Sequence, residues 1–394
     1  MSGARDDAPP KVSPFYDARV RAVVFQVLLC ALIGYLAYGA ITNAVENLAR
    51  ARIASGFGFW DSTAGFDISQ TLIPYTTQST YGRAFWVGLL NTLLVAALGI
   101  VVATLLGFSI GILQLSKNAL VSRIASGYVE AVRNIPLLLQ LLFWYNAVLK
   151  ALPNLRESIA IPGGALLNNR GLFLPKPIFG AGLDAILVGL ALGVVGAIAI
   201  RFWARRRQAL TGRQFPVFWT SALLIVSLPL LLAAIVGFPV TFDYPEMGRF
   251  NIRGGVEILP EFAALLFGLS TYTAGFIAEA VRAGIQSVPH GQTEAAYSLG
   301  LRPGPTLRLV VVPQAMRVIV PPLTNQYLNL TKNSSLAVAI GYPDLVQIFT
   351  GTVLNQTGQA VEVVAITMAV YLTISLVTSG LMNLYNRRIS LVER

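Results

Sequence analysis

Long apolar runs separated by short polar stretches dominate this chain. The runs cover about 21–42, 85–114, 125–150, 183–201, 216–238, 258–283, 308–341 and 360–385. A helix of about 20 apolar residues crosses a hydrocarbon core of about 30 Å, so the pattern predicts eight spans. Between them, 43–83 reads as an extramembrane loop marked by Gly56, Gly58, Gly65 and Pro74, and 285–306 as a polar segment rich in Pro and Gly. Residues 1–20 read as a polar tail. The first run is longer than the apolar region of a signal peptide, about 7–15 residues. No small-residue cleavage pattern follows it, and it reads as a retained span. No internal repeat at a fixed period is visible.

Composition supports the membrane reading. Hydrophobic residues make up 55% and charged residues 12%, against about 25% charged in soluble globular proteins. A water-facing surface cannot be built from so few charges. The net charge of +11 would suit nucleic acid or anionic lipid, but its placement follows the positive-inside rule. With the N-terminus inside, 17 of the 29 Lys and Arg fall in inside segments and 9 in outside loops. Arg201, Arg205, Arg206, Arg207 and Arg213 form the sharpest local cluster and fall inside. Eight spans with both termini in the cytoplasm is the consistent solution, and no nucleic-acid partner is expected. Cys30 is the only cysteine and reads as a small buried hydrophobe. His290 is the only histidine, so a His-based metal site or a Ser-His-Asp triad would rest on that one residue. No metal site and no catalytic residue are expected.

The segment Ile285–Gln314 carries the most information. Pro289 and Gly291 interrupt the preceding helix, and Gln292–Leu299 reads as a short helix of small residues closed by Gly300 in the left-handed conformation. Pro303, Gly304 and Pro305 then block its continuation. Ala295 and Ala296 leave room for another protein to approach closely. The stretch Glu294-Ala295-Ala296, three residues, Gly300, nine residues, then Val310-x-Val312-Pro313 resembles the EAA loop of permease subunits in bacterial ABC importers. Val310 and Val312 stand where that family has Ile and Leu. The likeness extends further. Glu130-x-x-Arg133-Asn134-Ile135-Pro136 through Gln140 resembles the R-G-T-P-L-L-x-Q helix of polar-amino-acid permeases, and Pro321-Pro322 through Lys332-Asn333-Ser334-Ser335-Leu336 resembles their P-P-x-x-N…K-x-S-S-L helix. Gly88-x-x-x-Thr92 resembles their opening helix. The remainder, including Ile53-Ala54-Ser55-Gly56-Phe57-Gly58-Phe59, is similar to the longer permeases of general L-amino-acid uptake systems.

The chain has no phosphate-cradling G-x-x-x-x-G-K-[ST] loop, since none of its lysines follows a glycine. Gly180-Ala181-Gly182-Leu183-Asp184-Ala185 imitates a dinucleotide fingerprint without the strand–helix context such a fingerprint needs. The ATPase is therefore expected to be another polypeptide. For a substrate pathway, ionisable and polar groups inside the spans are the candidates. Lys332 sits in a run kinked by Pro313, Pro321 and Pro322, with Asn329, Asn333, Ser334 and Ser335 close by. Lys332 and the two serines would give donors for an amino-acid carboxylate. Asn333 or Glu130 would give an acceptor for its ammonium. The competing reading has Lys332 snorkelling to the interface and the hydroxyls bonding back to their own helix. Glu130 with Arg133, and Glu279 with Arg282, read as structural ion pairs one turn apart.

The resemblance implies an all-α polytopic helix bundle with a five-helix permease core. Its expected layout is a cytoplasmic tail 1–20, an extra N-terminal span 21–42, a periplasmic loop 43–83, core segments 85–150 and 258–385, an insert 151–257 with two spans, and a tail 386–394. The coupling loop lies at 287–313, where Glu294, Ala295, Ala296, Gly300 and Pro313 would meet the ATPase. Lys332, Asn333, Ser334, Ser335, Asn329, Glu130 and Gln140 are the expected substrate-pathway residues. The expected partners are a second, homologous permease, an ATPase dimer carrying ATP and Mg, a periplasmic amino-acid-binding protein, membrane lipid and the amino-acid substrate. This chain itself is expected to bind no cofactor and to lie in the bacterial inner membrane. The alternative is a secondary transporter driven by an ion gradient, or a membrane scaffold without transport activity.

Overall fold

The computed structural model describes residues 18–50, 55–249 and 251–389. The expected tail at 1–20 falls almost wholly outside them, as do Ile53 and Ala54 of the first loop and 390–394 of the last segment. In chain order the helices begin with α1 (Ala18–Arg50), α2 (Tyr81–Gln114), α3 (Ala119–Asn134) and α4 (Leu137–Leu142), which a π-helical stretch extends through Leu149. Short strands β1 (Ile159–Ile161), β2 (Ala165–Asn168), β3 (Gly171–Leu174) and β4 (Lys176–Phe179) precede α5 (Leu183–Thr211) and α6 (Val217–Ile235). After them come β5 (Val240–Asp243), β6 (Glu246–Met247), β7 (Ile252–Arg253) and β8 (Val256–Ile258). The chain continues through α7 (Pro260–Gln286), α8 (His290–Ser298), α9 (Pro303–Thr306), α10 (Val312–Asn333), α11 (Leu354–Thr357) and α12 (Ala360–Ile389).

Among the described residues, 7 helical segments are long and apolar enough to cross a membrane. They match seven of the eight apolar runs. The remaining run, 125–150, is broken at Pro136. Proline disfavours helical geometry in the residue before it, and Ile135 is extended at φ −95°, ψ 127°. That break leaves α3 as a separate amphipathic helix, started by Asn118, whose side chain accepts from the amides of Leu120 and Val121. Ala125 and Val129 form its buried face. Residues 151–257 hold α5 and α6, flanked by strands the run pattern did not predict. Antiparallel pairing gives a sheet of order β1-β2-β3-β8, with β4 on β5 and β6 on β7 as two further pairs.

The chain divides into two units. One comprises the described residues up to Leu89 with Leu345–Ile374, and its core is aromatic. Phe59 and Trp60 pack edge-on at 6.4 Å, and Trp60 sits 5.1 Å from Phe85 and 6.1 Å from Phe349. Tyr81 donates to Gln356 Oε1 at 2.9 Å, and the Glu362 carboxylate accepts from the Gly56 amide. The loop read from Gly56 to Phe59 is thus a folded element, anchored by the buried Phe59.

The other unit runs from Leu90 to Asp344 and includes the described residues from Ser375 onward. Its helices approach closely through small residues, as expected where lipid gives no hydrophobic drive between helices. A Cβ on Gly107 would lie 2.5 Å from Ile277 Cβ, and one on Gly111 2.7 Å from the Ala278 carbonyl oxygen, so α2 and α7 meet backbone to side chain. Gly284 makes the same close approach to Ile319, joining α7 to α10. Gly189 and Gly193 of α5 rest against the backbone of Pro229 and Ile225 in α6.

Candidate functional site

The segment expected to carry the coupling helix follows directly from α7. Pro289 ends the turn after α7 and stands before α8, where its missing N–H leaves no unmet donor. The C-terminus of α8 is a Schellman motif. The Gly300 amide donates to the Tyr297 carbonyl at 2.9 Å and the Leu301 amide to the Ala296 carbonyl at 3.1 Å. Gly300 has φ +77°, as its sequence position predicts. Ala296 is buried, while Glu294, Ala295, Tyr297 and Leu299 face outward. Leu299 is 82% exposed, an apolar side chain that none of the described residues covers.

Pro303 begins α9 rather than ending a helix, since proline is well suited to a first helical turn. From there the backbone runs through a π-helical stretch, Leu307–Val311, into α10. Pro313 accounts for the altered register, because it removes one N–H and crowds the carbonyl of the preceding turn. The Gln314 side-chain amide donates to Gln292 Oε1 at 3.3 Å, tying α8 to the start of α10. The candidate residues Glu294, Ala295, Ala296, Gly300 and Pro313 thus lie together on one helix–turn–helix element between α7 and α10.

A second feature lies at the end of α7 that leads into α8. The ends of α2 and α7 and the face of α3 enclose a polar cavity of about 620 Å³. Gln114, Glu130, Arg133, Asn134, Glu279 and Arg282 supply its polar lining. The hydroxyl of Tyr128 donates to the Thr271 carbonyl at 2.9 Å and holds α3 on α7. Glu279 and Arg282 form the expected ion pair, with Arg282 Nε on Glu279 Oε2 at 3.1 Å and its Nη1 on Gln286 Oε1 at 3.0 Å. Glu130 and Arg133 do not pair with each other. The Arg133 guanidinium lies 5.3 Å over the ring of Phe276, and the Glu130 carboxylate makes no hydrogen bond among the described residues. Gln114 is 8% exposed, and its Oε1 has no donor. An unbonded carboxylate, a guanidinium stacked on Phe276 within electrostatic reach of Glu279, and an orphan amide oxygen in one cavity suit a small zwitterion. Gln114 escaped the sequence reading because it ends a long apolar run and carries no charge.

The other expected pathway residues lie apart from this cavity. Gln140 reaches back from α4, and its Nε2 donates to the carbonyls of Val132 and Ile135, each at 2.9 Å. It caps the end of α3 across the Pro136 break. On α10, Leu330 packs against Gly99, whose Cβ would lie 3.2 Å from Leu330 Cδ2. Gly99 is close to the midpoint of α2, about 25 Å from either end at 1.5 Å per residue. Lys332 lies in the last turn of α10 and is exposed. Asn329 is also exposed and Asn333 half-buried. The hydroxyls bond back to their own helix: Ser334 donates to the Thr331 carbonyl and Ser335 to the Lys332 carbonyl, each at 2.7 Å. Their protons are committed, and Ser334 is buried.

Residues 103–391 match the family described as the binding-protein-dependent transport system inner membrane component. The general L-amino acid transport system permease protein AapQ of Rhizobium johnstonii is 54% identical over 97% of this chain and 95% of its own length. The putative amino-acid ABC transporter permease protein YhdX of Escherichia coli is 51% identical over the whole of both chains. The glutamate/glutamine/aspartate/asparagine transport system permease protein BztB of Rhodobacter capsulatus is 44% identical over 96% of each.

Proposed function

Because this chain belongs to the family of binding-protein-dependent transport system inner membrane components, we propose that it is the permease subunit of an ATP-driven importer of L-amino acids. The cargo is proposed from the names of the full-length relatives, among them carriers of general L-amino acids and of acidic and amide types. In this reading a soluble binding protein delivers the amino acid to the outer face. ATP binding closes an ATPase dimer on the inner face, and a homologous second permease completes the pathway. ATP and Mg belong to the ATPase partner. Transport then proceeds by alternating access.

The observation that carries this reading is the α8 element. It is a short helix with exposed Glu294, Ala295 and Leu299, closed at Gly300 and tied to α10 by Gln292 and Gln314. Small side chains at Ala295 and Ala296 permit close approach of a partner, and Leu299 offers an apolar contact to it. The partner is the ATPase. Because α8 joins α7 directly, displacement of α8 is transmitted to the helix that lines the polar cavity. Glu130 is proposed as acceptor for the substrate ammonium and Arg133 as donor to its carboxylate. Gln114 Oε1 accepts a further hydrogen bond from the ammonium, and Lys332, Asn329 and Asn333 at the end of α10 line the pathway beyond the cavity. A gradient-driven transporter would leave the α8 element without a task.

The test is a cross-link. Cys30 is the only native cysteine, so a Cys30→Ala, Ala295→Cys chain presents a single thiol on α8. Cross-linking to a copurified ATPase through that thiol is the expected result. Labelling of Ala295→Cys by a bulky soluble reagent at equal rates in the intact complex and in the isolated chain would overturn the assignment.

A further inference from the structure

A second built surface lies in residues 151–257, away from the coupling element. The turn Leu155–Glu157, the β2–β3 hairpin and the segment after β6 frame a cleft of about 450 Å³, lined by Asn154, Arg156, Glu157, Asn169, Arg170 and Arg249. Its frame is fixed by hydrogen bonds. The Asn169 amide donates to the Pro153 carbonyl at 2.9 Å, and Asn169 Nδ2 donates to Asn154 Oδ1 at 3.2 Å. Asn168 is 1% exposed; its Nδ2 donates to Ser158 Oγ at 2.9 Å, and its Oδ1 accepts from the Arg170 amide at 2.8 Å. The backbone is held while the arginine side chains stay exposed. Among the described residues none of the three arginines makes a side-chain hydrogen bond or an ion pair. Arg170 lies within electrostatic reach of Glu257 without bonding it.

Two further observations point to a protein as the occupant. Directly after the Leu155–Glu157 turn, β1 forms an outer edge of the four-stranded sheet, and Ile159, Ala160 and Ile161 are all exposed. An open apolar edge is a liability unless something covers it. In the proposed orientation this face is outside, where the positive-inside bias works against arginine. Arginine is also enriched at protein interfaces. The matched family is binding-protein-dependent by description, so the soluble partner that must reach this side is the binding protein.

We infer that the Arg156–Arg170–Arg249 cleft and the adjoining β1 edge form the docking surface for an acidic face of the binding protein. This rests on the proposed importer function. Electrostatic complementarity of this kind governs encounter and register, and it weakens with salt. The arginines supply the charge match and β1 the apolar rim.

The test uses the whole complex, in nanodiscs, with ATP hydrolysis titrated against purified amino-acid-loaded binding protein at low and high salt. The Arg156→Glu, Arg249→Glu variant is expected to raise the half-saturating binding-protein concentration about tenfold or more. Its maximal rate and unstimulated hydrolysis stay unchanged, and the salt dependence of the wild type is lost. Arg156→Lys, Arg249→Lys keeps the charge and is expected to stay within about twofold of wild type. Arg170 is left intact in both variants because of its influence on Glu257. Half-saturation and salt dependence equal to wild type in the glutamate variant, with the complex intact on size exclusion, overturn the docking surface alone. A wild-type complex that binding protein never stimulates overturns the importer reading and the surface with it.

Discussion

The side-chain amide of Gln314, at the start of α10, donates to Gln292 Oε1 in α8 at 3.3 Å. It is the polar tie between the short α8 and the helix that carries Lys332. A neutral hydrogen bond contributes about 0.5–1.5 kcal/mol, too little to hold the fold but enough to bias how the two helices move together. Gln314→Ala is expected to lower binding-protein-stimulated ATP hydrolysis by about two- to tenfold, since 1.4 kcal/mol is a factor of ten. Assembly and unstimulated hydrolysis are expected to stay unchanged. Full stimulation in the variant would show that coupling does not run through this pair.

Gly300 has φ +77° and open space around the position of a Cβ. Only the backbone resists a side chain there, at about 1–2 kcal/mol for an L-residue in the left-handed region. Gly300→Val is expected to loosen the end of α8 and reduce uptake, while the complex still purifies intact. Parallel uptake assays and size-exclusion profiles decide this. Uptake equal to wild type would mean the Schellman closure is dispensable.

Two glycines give opposite expectations. Gly127 in α3 has nothing within 4 Å of a Cβ, whereas Gly111 in α2 would drive one to 2.7 Å from the Ala278 carbonyl oxygen. Gly127→Ala is expected to stabilise by about 0.5–1 kcal/mol through helix propensity. Gly111→Ala is expected to destabilise by about 1–3 kcal/mol through overpacking. Thermal melting of the purified complex reads both signs. A gain in melting temperature for both would contradict the close α2–α7 packing.

Much of this architecture was legible in the chain itself. Runs of apolar residues report a membrane span whatever its neighbours, so seven of the eight runs are single helical segments of spanning length and the eighth is helical on both sides of Pro136. The turn chemistry of Pro289, Gly300 and Pro303 is local, so α8 was legible to within two residues. The break at Pro136 was not, because a hydropathy run counts apolar residues and ignores the extended geometry that Pro136 imposes on Ile135. The strands of 151–257 were missed because strands of two to four residues give no readable period. The cavity was half legible. Glu130 and Arg133 stand out as charges in an apolar context, but their one-turn spacing suggested an ion pair, whereas Arg133 lies over the ring of Phe276 instead. Gln114 reaches the cavity only through the packing of α2 against α3 and α7, which no local pattern reports, and Gln140, expected in the pathway, bonds instead to carbonyls five and eight residues back.

Because Glu130 and Arg133 are not bonded to each other, exchanging them is informative. Glu130→Gln and Arg133→Gln are each expected to lower amino-acid uptake about tenfold or more, the cost of about one charged hydrogen bond. The exchanged pair, Glu130→Arg with Arg133→Glu, is expected to stay inactive because each charge would face the wrong end of the zwitterion. Recovery of uptake in the exchanged pair would identify a structural ion pair and remove both residues from the pathway.

Glu257, on β8 outside the spans, has its carboxyl pushed above the usual carboxylate range. Burial is the main cause, Arg170 opposes it and Glu261 adds to it. The folded state thus holds this proton more tightly than the unfolded chain. The associated stability is present in acid and is lost as pH rises through the raised value. Glu257→Gln removes that loss, so its melting temperature relative to wild type is expected to rise as pH climbs from the ordinary carboxyl value of 4.5 through the raised one. A constant difference across that window would contradict the effect of burial.

The most direct test of the account is ATP hydrolysis by the complex that copurifies with this chain from its native membrane, measured with and without amino-acid-loaded binding protein. The account predicts a copurifying ATPase and second permease, with hydrolysis stimulated by the loaded binding protein and lost on Glu294→Lys. A chain that elutes alone and takes up amino acids in liposomes on an ion gradient, without ATP, would contradict it.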